Sequence, residues 1–384
     1  DSFHRFKELG IDVFQGEGRF TGRRTIEVDG NTLNFSKAVI ATGARASAPP
    51  IPGLDSVDYL TNESIFNLTK QPRSMTVIGA GPIGCEMAQT FQRLGTDVTL
   101  VEISEHILIK EDADAAEIVQ NELIRDGVTL ALNAGKINNV SIKGKKIAVD
   151  YGEGETVVSE ALLVAVGRAP NVNGIGLDEA GVQFDPRRGV KVDDHLQTAN
   201  PRIFAAGDVC SRYQFTHSAD FLARIVVNNA LFDFKVNRQK ASSLVIPWAT
   251  YTDPQIAHVG ITEHQAKENG VAIDSFTQPL DDVDRAILDG DEDGFVKIHV
   301  AKGTDTILGG TIVARHAGDM IGEIVMAMTS GKKKIGLGKM GSVIHPYPTQ
   351  AEALRKTGDL YSRTRLTPKV AGYLRKWLAW QRGK

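Results

Sequence analysis

Cysteine is scarce: Cys85 and Cys210 are the only two in 384 residues. Two thiols in different elements are too few for a disulfide framework, which excludes a stapled secreted domain. Long apolar runs are also missing, and no stretch approaches the roughly 20 residues needed to span a bilayer. The opening DSFHRFKELG carries no basic and apolar signal segment, so a cytoplasmic protein is expected. Charge of one sign is not in excess either. With 44 Lys and Arg against 47 Asp and Glu, the net charge of −3 argues against a nucleic-acid partner. What remains, 42% apolar and 24% charged, is the composition of a globular protein too long for one core.

The chain is organised around residues 75–102, MTVIGAGPIGCEMAQTFQRLGTDVTLVE. Thr76, Val77 and Ile78 form a short apolar strand, and Gly79-Ala80-Gly81-Pro82-Ile83-Gly84 follows at once. Beyond Glu86, helix-like spacing brings Met87, Phe91 and Leu94 to one face. A second apolar run, residues 98–101, ends in Glu102, 18 residues beyond Gly84. In such a strand, turn and helix, Gly79 permits the tight turn, Gly81 lets the backbone approach a pyrophosphate, and Gly84 lets helix and strand pack closely. N–H groups at the helix start would hold phosphates, and Glu102 would accept hydrogen bonds from ribose hydroxyls. The competing reading is a tight structural turn. Cys85 stands at the helix start, where the dipole can lower a thiol pKa, but its size suits a packing residue.

Residues 37–54, KAVIATGARASAPPIPGL, are echoed by residues 161–177, ALLVAVGRAPNVNGIGL. Each is an apolar strand, a glycine, an arginine and a Pro- or Asn-rich exit, which suggests two related domains. Gly43 and Gly167 would let the backbone pass close to a cofactor. From Gly79 to Gly167 is 88 residues. By the same spacing, the first copy's phosphate turn would fall about 45 residues before Asp1. That domain is therefore expected to lack its phosphate-binding head. Between the copies, residues 140–142, 146–150 and 155–158 have the turn spacing of an antiparallel meander, and residues 162–166 would return to the parallel sheet. A buried strand then ends in Gly207-Asp208. Asp208 either faces a ligand at the strand tip or caps a helix over residues 215–231. From Ile246 an α+β unit begins, with strands at 295–300 and 307–314 and a Met- and Ile-rich helix at 319–328. It ends in His345-Pro346-Tyr347-Pro348, before a helix expected to start near Thr349.

Five motifs, ATG (41–43), GAGPIGCE (79–86), AVGRAPN (165–171), AAGD (205–208) and HPYPTQAE (345–352), resemble the pyridine nucleotide-disulfide oxidoreductases. This is the flavoprotein family of dihydrolipoamide dehydrogenase, glutathione reductase and mercuric reductase. The resemblance implies an α/β fold with two Rossmann-like dinucleotide-binding domains, the first incomplete, and a C-terminal α+β dimerisation domain. The first would cover 1–70, completed by about 171–245. The second would cover 71–170, the dimerisation domain 246–364, and a basic amphipathic tail 365–384. It also implies FAD and NAD(P)H as cofactors, a homodimer, and a disulfide, metal ion or other small molecule as electron acceptor; no resident metal site is expected. Thr42 and Gly43 would lie against FAD, Asp208 on its ribityl chain, and Thr216 at the flavin ring. Gly79, Gly81, Pro82, Ile83, Gly84, Glu86, Glu102 and Gly167 would bind the nicotinamide nucleotide. Glu102 favours NADH, because a carboxylate repels a 2′-phosphate and residues 103–106 hold no arginine, although His106 or Lys110 offers a cation nearby.

The chain departs from the family pattern in lacking the amino-terminal flavin fingerprint and the redox-active cysteine pair. A fragment of a longer polypeptide is therefore expected, with a non-catalytic assembly remnant as the alternative. In the disulfide-reducing members a histidine base occupies the position of Tyr347, paired with the glutamate at 352. A phenol with a pKa of about 10 is a poor base at neutral pH. Tyrosine there is similar to the mercuric reductases, in which the phenol lies near a metal ion, yet their vicinal cysteine pair at the end of the chain has no counterpart here. Tyr347, Glu352 and His345, a substitute base, are the candidate catalytic residues. The plainer alternative packs Tyr347 at the dimer interface with its hydroxyl on Glu352. The tail, apolar at Val370, Leu374, Trp377 and Leu378 and basic at Lys369, Arg375, Lys376 and Arg382, would lie on a membrane surface, as in a quinone- or diaphorase-type reductase, or dock on protein.

Overall fold

A computed structural model describes residues 3–47, 49–232, 237–331 and 335–383. The chain forms two units, Asp1–Ser47 with Gly167–Leu244, and Ala48–Val166 with Val245–Lys384.

In the first unit, strands Arg19–Gly22, Thr25–Val28 and Asn31–Asn34 form an antiparallel sheet, and Ala38–Ile40 pairs in parallel with Ile203–Ala205. Phe20, Ile40, Val172, Leu177 and Ile203 make one core, while Leu222, Ile225 and Val226 of the helix Thr216–Leu231 pack on Phe204 in another. The two echoed segments meet here. Ala44–Ala46 pairs antiparallel with Arg168–Pro170, so the exits of both copies hydrogen-bond to each other.

In the second unit, a four-stranded parallel sheet runs in the order Ala161–Val164, Ser74–Ile78, Asp97–Val101, Thr129–Ala131. Its central strands are near-continuous apolar runs because both faces are covered. Met75, Val77, Val98 and Leu100 pack with Cys85 and Ala88 of the helix Pro82–Arg93 and with Ala116 and Val119 of Ala113–Arg125. The meander is Ile137–Lys143, Lys146–Tyr151 and Glu155–Ser159. Residues 49–70 belong with this unit rather than with the first domain assigned to 1–70. Leu54 and Val57 bury beside Val140 and Leu162, and Leu60 N–H donates to the Leu162 carbonyl. These side chains find their apolar partners there.

The same unit carries a five-stranded antiparallel sheet ordered Pro247–Thr250, Gln255–Gly260, Ile307–Ala314, Phe295–Ala301, Ile273–Pro279. Helices Ala317–Thr329 and Glu352–Arg365 cover it through Ile321, Ile324, Ala353 and Leu354. The second of these starts three residues later than expected. Thr349 Oγ1 bonds the Pro346 carbonyl and Gln350 Nε2 reaches Asp291, which holds residues 349–351 in a turn.

A polar network lies between the Ala113–Arg125 helix start and this sheet. Lys297, almost fully buried, reaches Asp114 at 2.6 Å and Asp112 and Glu263 at 3.6 Å. Beside them, Glu111 Oε1 accepts from Trp248 Nε1 at 2.7 Å, and its Oε2 is buried without a hydrogen-bond partner. Burial pushes the Glu111 carboxyl up to about 7 from an ordinary 4.5, although the Trp248 bond opposes the shift. A carboxyl raised on folding contributes stability that is complete below the unfolded value and lost as pH rises through the folded one. Relative to the natural protein, Glu111→Gln is expected to gain roughly 3 kcal/mol between about pH 4 and pH 8. Urea midpoints across that range test this, and parallel curves for the two proteins would refute it.

Candidate functional site

The glycine loop is built as its spacing requires. Gly79 has φ +98°, and an added Cβ would lie 2.8 Å from the Ala165 carbonyl oxygen. At Gly84 a Cβ would overlap the carbonyl of Gly79. At Gly81 it would meet nothing within 4 Å. The helix starts at Pro82, whose missing N–H costs nothing at the first position. Its first turn bond runs from Cys85 N to the Gly81 carbonyl. The N–H groups of Ile83 and Gly84 precede that bond, as at any helix start, and no side chain caps them. Glu102 holds the loop from the next strand: one carboxylate oxygen accepts from Ala80 N at 2.7 Å and the other from Ser104 N at 2.9 Å. Each oxygen keeps a lone pair for a further donor.

Glu86, one turn into the helix, accepts from Tyr251 N at 2.8 Å, and burial raises its carboxyl pKa despite that bond. Cys85 is fully buried with its thiol on the Ala80 carbonyl. Burial first, then Glu102 and Glu86, push this thiol well above its ordinary range, overriding any help from the helix dipole. Burial, with Asp208 adding to it, pushes Cys210 up to about 12. Neither is a reactive thiolate at neutral pH.

The second cluster lies within the first unit. Gly43 has φ +69° and Gly167 φ +131°, and a Cβ on either would meet nothing within 4 Å. Thr42 and Asn171 exchange side chain to main chain bonds of 2.8 and 2.9 Å, which clamps the ATG and APN motifs together. Asp208 lies in the turn Gly207–Val209, and its carboxylate pairs with Arg168 Nη1 at 2.7 Å. Arg168 Nη2 also donates to the Ala44 carbonyl, and its Nε is buried without a hydrogen-bond partner. Asp208 therefore does not cap the next helix. The N-cap position of Thr216–Leu231 is Phe215, the helix has no side-chain cap and no acid in its first turn, and Ser218 Oγ is buried there without a partner. Sequence reasoning missed the role of Arg168, although the arginine after the glycine in both echoes was the available signal.

At the C-terminal loop the expected pairings change. Tyr347 is 71% exposed, and its hydroxyl donates to Asp284 at 2.6 Å rather than to Glu352. The bond to Asp284 raises the phenol pKa. Glu352 instead accepts from Arg355. His345, with its side chain only 6% exposed, has Nε2 at 3.1 Å from Glu323. A histidine enclosed and paired in this way is poorly placed to serve as a substitute base.

Residues 3–221 match the family described as pyridine nucleotide-disulphide oxidoreductase, and residues 246–357 match its dimerisation domain. The chain belongs to this family. A mercuric reductase of Bacillus cereus is 38% identical over 91% of the chain, and a dihydrolipoyl dehydrogenase of Cupriavidus necator is 33% identical over 91%. The chain spans 54% of the first and 74% of the second. Among solved structures, the HOCl-induced flavoprotein disulfide reductase RclA from Escherichia coli has a TM-score of 0.85 at 29% identity, covering 93% of this chain and 81% of that one. Along the chain, the pyridine nucleotide-disulphide oxidoreductase match precedes the dimerisation-domain match. Within that domain Ile344 is 94% exposed and Met326 61%, large apolar groups open to solvent on the single chain.

Proposed function

We propose that this pyridine nucleotide-disulphide oxidoreductase works as a homodimeric, FAD-dependent NAD(P)H oxidoreductase that delivers electrons to a metal ion or small-molecule acceptor. The observation that carries the reading is the Gly79–Gly84 loop, where the open space beside Gly81 lies before an uncapped helix start. Both sets of residues suit their cofactors. The nucleotide loop offers N–H donors with no Cβ in the way. In the first unit, Gly43 is open, and Arg168 Nε and Ser218 Oγ are buried without hydrogen-bond partners. Held there, the nicotinamide would supply a hydride equivalent, and the flavin would provide its two electrons to the acceptor with release of one proton.

Ile83 and Gly84 N–H would hold the pyrophosphate, and Glu102 the ribose hydroxyls, with Pro82 fixing the helix start. Glu86 would keep that helix in place through Tyr251. In the first unit, Thr42 and Gly43 would lie along FAD and Asp208, oriented by Arg168, would bind the ribityl hydroxyls. The helix start at Thr216 would direct N–H groups to the flavin ring. Gly167 would leave room beside the nucleotide. Tyr347 stays protonated at neutral pH, since its bond to Asp284 raises an already high pKa. It would therefore act on the acceptor as a hydroxyl ligand or donor, not as a base.

Full-length protein with flavin absorbance that NADH bleaches is the expected result. Absence of a flavin band, with no spectral response to NADH, would sink the reading. With mercuric ion as acceptor, Tyr347→Phe is expected to lower kcat/KM about tenfold to a hundredfold through the loss of one oxygen ligand to the ion. Flavin reduction by NADH, followed by stopped flow, should be unchanged. An equal loss in both half-reactions would assign Tyr347 to structure instead. Glu102 also favours NADH over NADPH, so Glu102→Ala should lower kcat/KM for NADH about tenfold or more and narrow the ratio between the two. A ratio left intact would confine Glu102 to anchoring the loop.

A further inference from the structure

The helix Pro368–Gln381 begins well and then buries nothing. Thr367 caps it by accepting from Val370 N, and Pro368 takes the first position, two local signals that specify a helix start. None of its residues is buried. Val370, Tyr373, Leu374, Trp377, Leu378 and Trp380 are all exposed, Trp380 to 74%. At 100° per residue these six side chains occupy an arc of about 160°. Lys369 and Lys376 flank the arc on one side, Arg375 and Arg382 on the other. After Asp359 the chain holds seven cations and no acid, in a protein whose net charge is −3. A helix of 14 residues containing Gly372, two tryptophans and a valine is marginal in water on its own. Its apolar face needs a covering surface.

We propose that this helix lies flat in the interface of an anionic lipid membrane and docks the oxidoreductase there. At about 21 Å it is too short to cross the bilayer core. Among the described residues no helix is long and apolar enough to span a membrane. Aliphatic side chains over one half of the face, aromatics over the other and cations on both flanks are an arrangement that inserts beside acidic headgroups. Covering by the same helix of a second copy would set cation against cation. The matched dimerisation domain, moreover, ends at residue 357, before this helix begins.

Flotation of the full-length protein with phosphatidylcholine vesicles, with and without phosphatidylglycerol, tests the proposal. The protein should float with the acidic vesicles and not with the neutral ones. A form ending at Arg365 should stay at the bottom while still oxidising NADH. Arg375→Glu/Lys376→Glu, which leaves the apolar face whole, should weaken vesicle binding about thirtyfold or more at low salt. Failure of the full-length protein to float with acidic vesicles would overturn the proposal, as would equal flotation of the truncated form or equal binding to neutral vesicles. A truncation that lowers the oligomeric mass without any vesicle binding would assign the helix to a second copy. NADH oxidation, read separately in each protein, keeps this result distinct from the assignment of enzymatic activity.

Discussion

Replacing Gly84 by alanine is expected to abolish nicotinamide-nucleotide binding and to cost about 1–3 kcal/mol of stability, while Gly81→Ala should abolish binding alone. The two glycines stand three residues apart in one loop and differ in what surrounds them. A Cβ at Gly84 would overlap the Gly79 carbonyl oxygen and lie 3.0 Å from its carbon. Neither atom belongs to a flexible side chain, so the turn and the helix Pro82–Arg93 must separate, and the buried contacts of Cys85 and Ala88 with the sheet loosen. At Gly81 the backbone has φ −73° and ψ −176°, which any residue adopts, and a Cβ meets nothing within 4 Å. The methyl group there would instead occupy the space assigned to the pyrophosphate. Urea unfolding, paired with NADH titration, separates the two effects. If Gly81→Ala binds NADH as the natural protein does, the pyrophosphate does not dock at this loop.

Lys297→Met is expected to destabilise the protein by about 3–5 kcal/mol, the usual cost of leaving a buried charge without its partner. Asp112 is the charge at issue. It is 5% exposed and receives Glu263 N at 3.2 Å and Thr311 Oγ1 at 3.1 Å, with His299 Nε2 at 3.6 Å. Burial alone would raise its carboxyl pKa, yet His299 and Lys297 beside it hold the group well below the usual carboxylate range. Methionine fills much of the lysine volume but brings no charge. A carboxylate depressed on folding contributes stability that is complete above the unfolded value, near pH 4, and lost as pH falls through the folded one. The variant should therefore be weaker at neutral pH and lose less on acidification. Adding Asp112→Asn should restore part of the loss, because the uncompensated charge is then gone. Urea midpoints at neutral and acid pH check both statements. Equal acid sensitivity in Lys297→Met and the natural protein would mean that Lys297 does not set the ionisation of Asp112.

The local features were legible because each depends on neighbours along the chain. The strand, glycine turn and helix at 74–93 follow from apolar runs and from backbone conformations that only glycine adopts, as Gly79 shows at φ +98°. The meander and the strands at 295–301 and 307–314 follow from alternation and turn spacing in the same way. The five motifs were enough to name a family, because their chemistry lies within a few residues of sequence. Pairings across long separations were not legible. Arg168 meets Asp208, Tyr347 bonds Asp284 instead of Glu352, and Lys297 is buried against Asp112. No local pattern specifies any of these, since a charged side chain carries no record of its distant partner. Residues 49–70 likewise joined the second unit because Leu54, Val57 and Ile65 found apolar surface there. The sequence by itself determined where the chain turns and which runs become strands. Only tertiary packing decided which polar groups would be buried together, because that depends on which apolar faces close over them.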